Sequence, residues 1–204
     1  MKRLFGLLGL CVSLLFGTAA SAADLAPDVL VKDVTTEVLD LVRQDKDIRN
    51  GNTPKVLELV ETKVVPHFNF TRMTRLALGR DGKQASPAQM TSLVEEFRTM
   101  LVRTYSKALS EYRDQEIVYK PLKMAATDAD VKVRTEIRQS GGKPVQLDYY
   151  LEKTAAGWKV YDMEVGGVSL VTNYRSSFSQ EIRVNGIDGL IRSLQAKNKT
   201  DPAK

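Results

Sequence analysis

The hydrophobic period of this chain changes twice, and those two changes constrain the fold more than any other feature. Up to about Asp114, apolar residues recur at steps of three and four, as on one face of a helix. From Gln115 to Val165 they alternate at a step of two, as in a strand with one buried face. Beyond Gly166-Gly167 the helical spacing returns, with Val168, Val171, Tyr174, Phe178 and Ile182 on one stripe. Helices, then consecutive hairpins, then helix again predict the α+β class, with helices on one face of an antiparallel sheet.

Each segment carries its own start and stop signals. Residues 28–45 form an amphipathic helix with Val31, Val34, Val38, Leu41 and Val42 on its buried stripe. After the Asn50-Gly51-Asn52 turn, Thr53-Pro54 opens a second helix that ends before Pro66. Asn69 caps a third, short helix that carries Met73 and stops at Gly79. Ser86-Pro87-Ala88-Gln89 is a capping box for the longest helix, whose stripe runs Met90, Leu93, Val94, Phe97, Leu101, Tyr105, Ala108, Leu109 and Tyr112. In the strand region, Gln115–Lys123 contains Pro121 and so belongs at an edge. Val131, Val133, Thr135 and Ile137 alternate with charged residues. Val145, Leu147, Tyr149 and Leu151 alternate with Gln146, Asp148, Tyr150 and Glu152, and a last strand runs from Trp158 to Val165. Asn185-Gly186 stops the helix that follows, a second short helix carries Ile187, Leu190, Ile191 and Leu194, and Asn198–Lys204 reads as a polar tail.

The N-terminus has the form of a secretory signal peptide. Lys2 and Arg3 precede an apolar run, Leu4–Gly17, that is too short for a good membrane span, and Ala20-Ser21-Ala22 is a small-residue cleavage site. Cleavage after residue 22 leaves residues 23–204 as one domain. It takes away Lys2 and Arg3, lowering the net charge from +5 to +3, too weakly basic to argue for nucleic acid. It also takes away Cys11, the one cysteine, which excludes thiolate metal sites and cysteine nucleophiles from the mature chain.

Catalytic motifs are missing. His67 is the single histidine. Gly167-Val168-Ser169-Leu170-Val171 lacks the second glycine of a nucleophile elbow, so Ser169 is expected in the first turn of the final helix. There is no metal-ligand spacing and no phosphate-binding glycine loop, so no cofactor is expected. What the elements do share is apolar and aromatic lining: Phe68, Phe70, Met73, Phe97, Leu101, Tyr105, Tyr149, Tyr161, Met163, Val171, Tyr174 and Phe178. A filled core and the wall of a cavity have the same periodicity, so the pattern alone leaves both open.

Three stretches together resemble the MlaC family, the periplasmic phospholipid-shuttle (toluene-tolerance) proteins. They are "VVPHFNFTRMTRLALG", "SPAQMTSLVEEFRTMLVRTY" and "GGVSLVTNYRSSF" with "GIDGLI". One departure is Arg80-Asp81-Gly82-Lys83, where the family commonly has a tryptophan after its leucine-glycine pair. The resemblance implies a nuclear-transport-factor-like fold, helices on the concave face of a curved sheet, around a lipid cavity. It implies a non-enzymatic carrier that moves phospholipid between the outer and inner membranes and so maintains outer-membrane lipid asymmetry. Its partners would be an outer-membrane lipoprotein–porin complex and an inner-membrane ABC transporter with its substrate-binding-domain subunit. The alternative is a periplasmic interaction module with a filled core and no ligand. Within the carrier reading the lining residues are the lipid site, and Arg175, off the stripe beside Tyr174, is the candidate for the phosphate.

Overall fold

The structure is a computed structural model that describes residues 25–200. The expected signal peptide and Cys11 lie outside those residues. Six α-helices are described: α1 (Pro27–Gln44), α2 (Lys46–Arg49), α3 (Thr53–Leu59), α4 (Phe70–Leu78), α5 (Pro87–Ser110) and α6 (Arg175–Lys199). Five strands form one sheet: β1 (Glu116–Tyr119), β2 (Asp130–Arg138), β3 (Val145–Thr154), β4 (Gly157–Val165) and β5 (Val168–Ser169). The order β1-β2-β3-β4-β5 is antiparallel throughout. This is the expected α+β class, with β1 at an edge.

The helix signals act as the sequence predicts, with one residue of difference at α3. Its cap is Asn52, whose side chain accepts from the Lys55 backbone at 3.2 Å, so Thr53 already lies inside the helix. Asp45 adds the unexpected four-residue α2 by accepting from the amides of Asp47 and Ile48. Asn69 accepts from the Arg72 amide at 3.0 Å, and the Ser86–Gln89 capping box is complete in both directions. After α3 the chain widens into a π-helical turn (Val60–Val64) and tightens into a 3-10 turn (Val65–His67) at Pro66.

The last third of the chain departs from the stripe that its spacing suggested. Val168 and Ser169 are not helical; they form β5 against Val165 and Glu164. A 3-10 turn (Thr172–Tyr174) follows, and α6 starts only at Arg175. Step-three and step-four spacing continues through Val168 because an exposed strand residue there leaves the pattern unbroken. Inside α6, Gly186 (φ 70°, ψ −177°) breaks the helix, a backbone conformation open to glycine alone. The chain reverses there, so both arms lie along α5. Tyr174 packs on Phe97, Asp188 beyond the bend accepts from Gln89 near the start of α5, and Arg103 donates to Thr200 at the far end. The second arm continues through Lys199. Asn198 donates to Glu96 and is part of the fold, not of a tail.

The apolar interior divides into three clusters. Met73, Leu78, Leu93, Phe97, Leu101, Val171, Phe178 and Leu194 are the core of the helical layer. Leu30 and Val31 of α1 close over Val131, Val133, Leu151, Trp158 and Val160 on the sheet's apolar face. Val38, Val42, Ile48, Val56 and Leu59 pack α1, α2 and α3 together. Among the described residues, Phe68 is the side chain that packs against both the helical and the sheet cluster.

Candidate ligand-binding seam

The junction between helical layer and sheet is built along β4. The chain around Phe68 bridges to Val160 in parallel, and the Asn69 amide donates to the Val160 carbonyl at 2.8 Å. Further along the same edge, the Leu170 amide donates to the Met163 carbonyl at 2.8 Å. Two short segments thus hang the helices α4 and α6 from one strand. Asp162 locks the second. Its carboxylate accepts from the amides of Met163 (2.8 Å) and Val171 (3.2 Å) and from the Ser169 hydroxyl (2.5 Å), while Ser169 accepts from the Thr172 amide (2.9 Å). Ser169 is therefore a turn-forming residue ahead of the helix, not a residue of its first turn.

Inside this frame the sequence-derived lining residues separate into two groups. Met73, Phe97, Leu101, Val171 and Phe178 are closed off in the helical core, and Val171 and Phe97 are 0 % exposed. Phe97 meets the rings of Tyr174 and Phe178 edge-on at 5.3 and 5.2 Å. Phe68, Phe70, Tyr149, Met163 and Tyr174 are only half-buried, and Tyr105 is exposed. Phe68 and Phe70 stack at 5.8 Å, with the Arg98 guanidinium over Phe70. Leu147, missed by a list that favoured aromatics, is half-buried on the same sheet face as Tyr149, and Val165, paired with it, is exposed. Strict alternation of Leu147 with Tyr149 was the signal that placed it there.

Tyr149 packs, half-buried, against the sheet's apolar cluster. Burial pushes its hydroxyl well above the ordinary phenol range, and a hydrogen bond to Thr35 of α1 offsets only part of this. Yet the side chain keeps accessible surface. Tyr174 stands on the helical side. Burial raises its pKa, its hydroxyl bonds with Tyr105, and it too is half-buried.

Two site expectations are corrected. Tyr161 was grouped with Met163, two residues on. The pairing Tyr150↔Asp162 and Leu151↔Val160 leaves Tyr161 as an extra, bulged residue. The bulge swings its ring toward Tyr150 on the polar face, at 6.3 Å, under the Arg72 guanidinium at 3.5 Å. Burial, with a hydrogen bond to Asp130, pushes its pKa up to about 12. Arg175 is also spoken for. Its guanidinium donates to the Leu76 carbonyl at 2.9 and 3.2 Å and lies against Gly79, closing the C-terminal end of α4. Arg175→Ala is expected to cost about 1 kcal/mol, read as a lowered urea midpoint, with lipid retention unchanged.

Further charged residues pair on the sheet, one of them, Asp148, fully buried. Arg72 pairs with Asp130 and Glu152, and Lys132 with Asp148 and Glu164. His67 is half-buried, and burial lowers its pKa, as does nearby Lys159. Among the described residues no group of side chains could hold a metal ion, and no helix is long and apolar enough to cross a membrane. Arg80 to Gln84, where the family's tryptophan is missing, makes a short 3-10 turn (Asp81–Gln84).

Helices on one face of an antiparallel sheet, with half-buried apolar and aromatic side chains where the two layers meet, define the class of domain. A family model described as MlaC protein matches residues 32–196, and the chain belongs to the MlaC family. Its relatives include the Haemophilus influenzae intermembrane phospholipid transport system binding protein MlaC, 23% identical over 96% of this chain and 92% of that one. Another is the Pseudomonas putida toluene tolerance protein ttg2D, 25% identical over 88% of this chain and 84% of that one. A solved structure of a phospholipid-binding protein from Ralstonia solanacearum, in complex with a phospholipid, superposes with a TM-score of 0.79. It is 40% identical and covers 87% of this chain and 98% of that one.

Proposed function

We propose that this protein is a phospholipid carrier of the periplasm, taking acyl chains into the seam between sheet and helices. What supports the reading most directly is the likeness to the Ralstonia solanacearum protein, whose structure holds a phospholipid. The half-open walls around Phe68, Tyr149, Met163 and Tyr174 agree with it. The physical need is clear. Each methylene removed from water is worth ~0.8 kcal/mol, so two chains with roughly thirty methylenes represent ~24 kcal/mol of exposure. A carrier lowers that barrier by offering an interior as dry as the bilayer, so transfer in either direction is nearly balanced. The work needs neither a catalytic residue nor a nucleotide.

In this reading the ligand wall is Phe68, Phe70, Leu147, Tyr149, Met163 and Tyr174. The closed residues Met73, Phe97, Leu101, Val171 and Phe178 hold the helical layer in shape behind it. The lipid passes between the outer and inner membranes. The carrier's partners are an outer-membrane lipoprotein–porin complex and an inner-membrane ABC transporter with its substrate-binding-domain subunit, and residues 1–22 direct export.

Organic extraction of the purified protein, followed by lipid mass spectrometry, tests the carrier reading. Near-stoichiometric phospholipid is expected. Protein that is folded and lipid-free, and that takes none from vesicles, is a filled-core interaction module instead. Accumulating free fatty acid points to lipid cleavage.

A further inference from the structure

Between the C-terminal half of α5 and the two ends of α6 lies a cleft of about 230 Å³, bordered by Arg103, Thr104, Tyr174, Lys197 and Asn198. Among the described residues that line it there is no carboxylate. The Glu96 carboxylate accepts from the Asn198 side-chain amide at 2.8 Å. The Arg103 guanidinium donates to the Thr200 carbonyl at 3.2 Å, as a cation does at the negative end of a helix. Its other N–H groups are left over. The Lys197 ammonium has neither ion pair nor hydrogen bond among the described residues. Among the described residues, neither of these two cations is paired with a carboxylate.

The position of the cleft says what would enter it. Tyr174 borders the cleft and backs onto the helical core. Its ring packs edge-on to Phe97 at 5.3 Å, and its hydroxyl, bonded to Tyr105, marks the change from apolar to polar surroundings. In the carrier reading Tyr174 belongs to the ligand wall, so a lipid with its tails in the seam has its polar junction here. We propose that the cleft is a phosphate site, in which Arg103 and Lys197 bind the phosphodiester of the carried lipid and the Thr104 hydroxyl donates to it. The proposal rests on the carrier reading for where the tails lie. Arginine suits the task because its planar fork meets two phosphate oxygens at once, and lysine adds a point charge. Anionic and zwitterionic phospholipids share the phosphodiester, so the site does not sort one from the other. It selects against a lipid with the same chains and no phosphate.

The test uses delipidated mature protein and two lipids with identical chains, phosphatidylglycerol and diacylglycerol. The unmutated protein is expected to prefer phosphatidylglycerol by ~10-fold, the size of one or two charge-assisted hydrogen bonds. In Arg103→Gln/Lys197→Gln the preference is expected to fall to ~2-fold or less, with diacylglycerol affinity unchanged. Lys197→Gln alone breaks no contact within the protein, so its share of the loss cannot be a folding defect. Inorganic phosphate separates the two possible sources of the anion. If the site serves the headgroup, phosphate competes only with phosphatidylglycerol, and bound phosphatidylglycerol excludes it. If the site serves free phosphate, phosphate binds equally with and without lipid. A double variant that keeps both the lipid preference and the phosphate affinity overturns the site. Should the unmutated protein bind neither lipid, the carrier reading fails, and loss of phosphate binding in the double variant alone decides the cleft.

Discussion

Met163→Trp is expected to strip the protein of co-purifying phospholipid while the delipidated form keeps nearly the same melting temperature. Met163 is half-buried on the apolar sheet face, paired directly with Tyr149 across β3 and β4. An indole there occupies the space proposed for acyl chains. Val171→Trp is expected to do the reverse. Val171 is 0 % exposed in the helical core, and adding bulk to a filled site costs about 1–3 kcal/mol, occasionally more. For a domain of this size each kcal/mol is worth roughly 2–4 °C in melting temperature. Lipid content and melting should be measured on one preparation, before and after delipidation, because bound lipid itself raises the melting point. If Met163→Trp carries a full complement of phospholipid, the sheet face is not the wall of the ligand site. If Val171→Trp melts like the unmutated protein and loses its lipid, the wall lies within the helical layer instead.

The largest effect on stability is expected at Asp162. The residue is 7 % exposed, and its carboxylate accepts from two backbone amides and one hydroxyl. Asp162→Ala leaves the buried Val171 amide without a partner and releases Ser169, which in turn orders the Thr172 amide. Hydrogen bonds to a charged group are worth about 1.5–3 kcal/mol each, and stranded buried donors add to the loss. A destabilisation of ~3 kcal/mol or more is expected in urea unfolding, with Asp162→Asn recovering part of it. The damage should be local to the junction of β4 and α6, so amide exchange should quicken first at residues 168–174. A fall of less than ~1 kcal/mol would mean that the turn is held by its packing alone.

Much of the fold was legible because its signals are local. Capping at Ser86 and Asn69, proline at the first turn of α5 and the two-residue alternation of β2 and β3 each depend on neighbours in sequence. The β5 strand was not legible. Two residues give no period to read, and Val168 falls in step with Val171 and Tyr174 by coincidence. The site was half legible. Apolar and aromatic character marked Phe68, Tyr149, Met163 and Tyr174, which the structure leaves half-buried, but the same character marked Val171 and Phe97, which are 0 % exposed in the helical core. Whether an inward side chain meets another side chain or open space depends on how far two layers stand apart, which no periodicity encodes. The bulge at Tyr161 moved one candidate to the opposite face for a similar reason, since one extra residue in a strand leaves no mark in composition.

The division of the apolar interior has a consequence for the working cycle. A carrier must spend part of each round trip unloaded, and a protein whose only core was its binding site would unravel at that moment. Here the helical layer and the sheet with α1 each own a packed core, and Phe68 is the side chain common to both. Withdrawal of a ligand from between them leaves each layer with its own neighbours. The joints along β4, made by the Asn69 and Leu170 amides and the Asp162 carboxylate, still tie the two layers together. Persistence while empty is thus a property of where the cores lie, and it does not require cargo as scaffold.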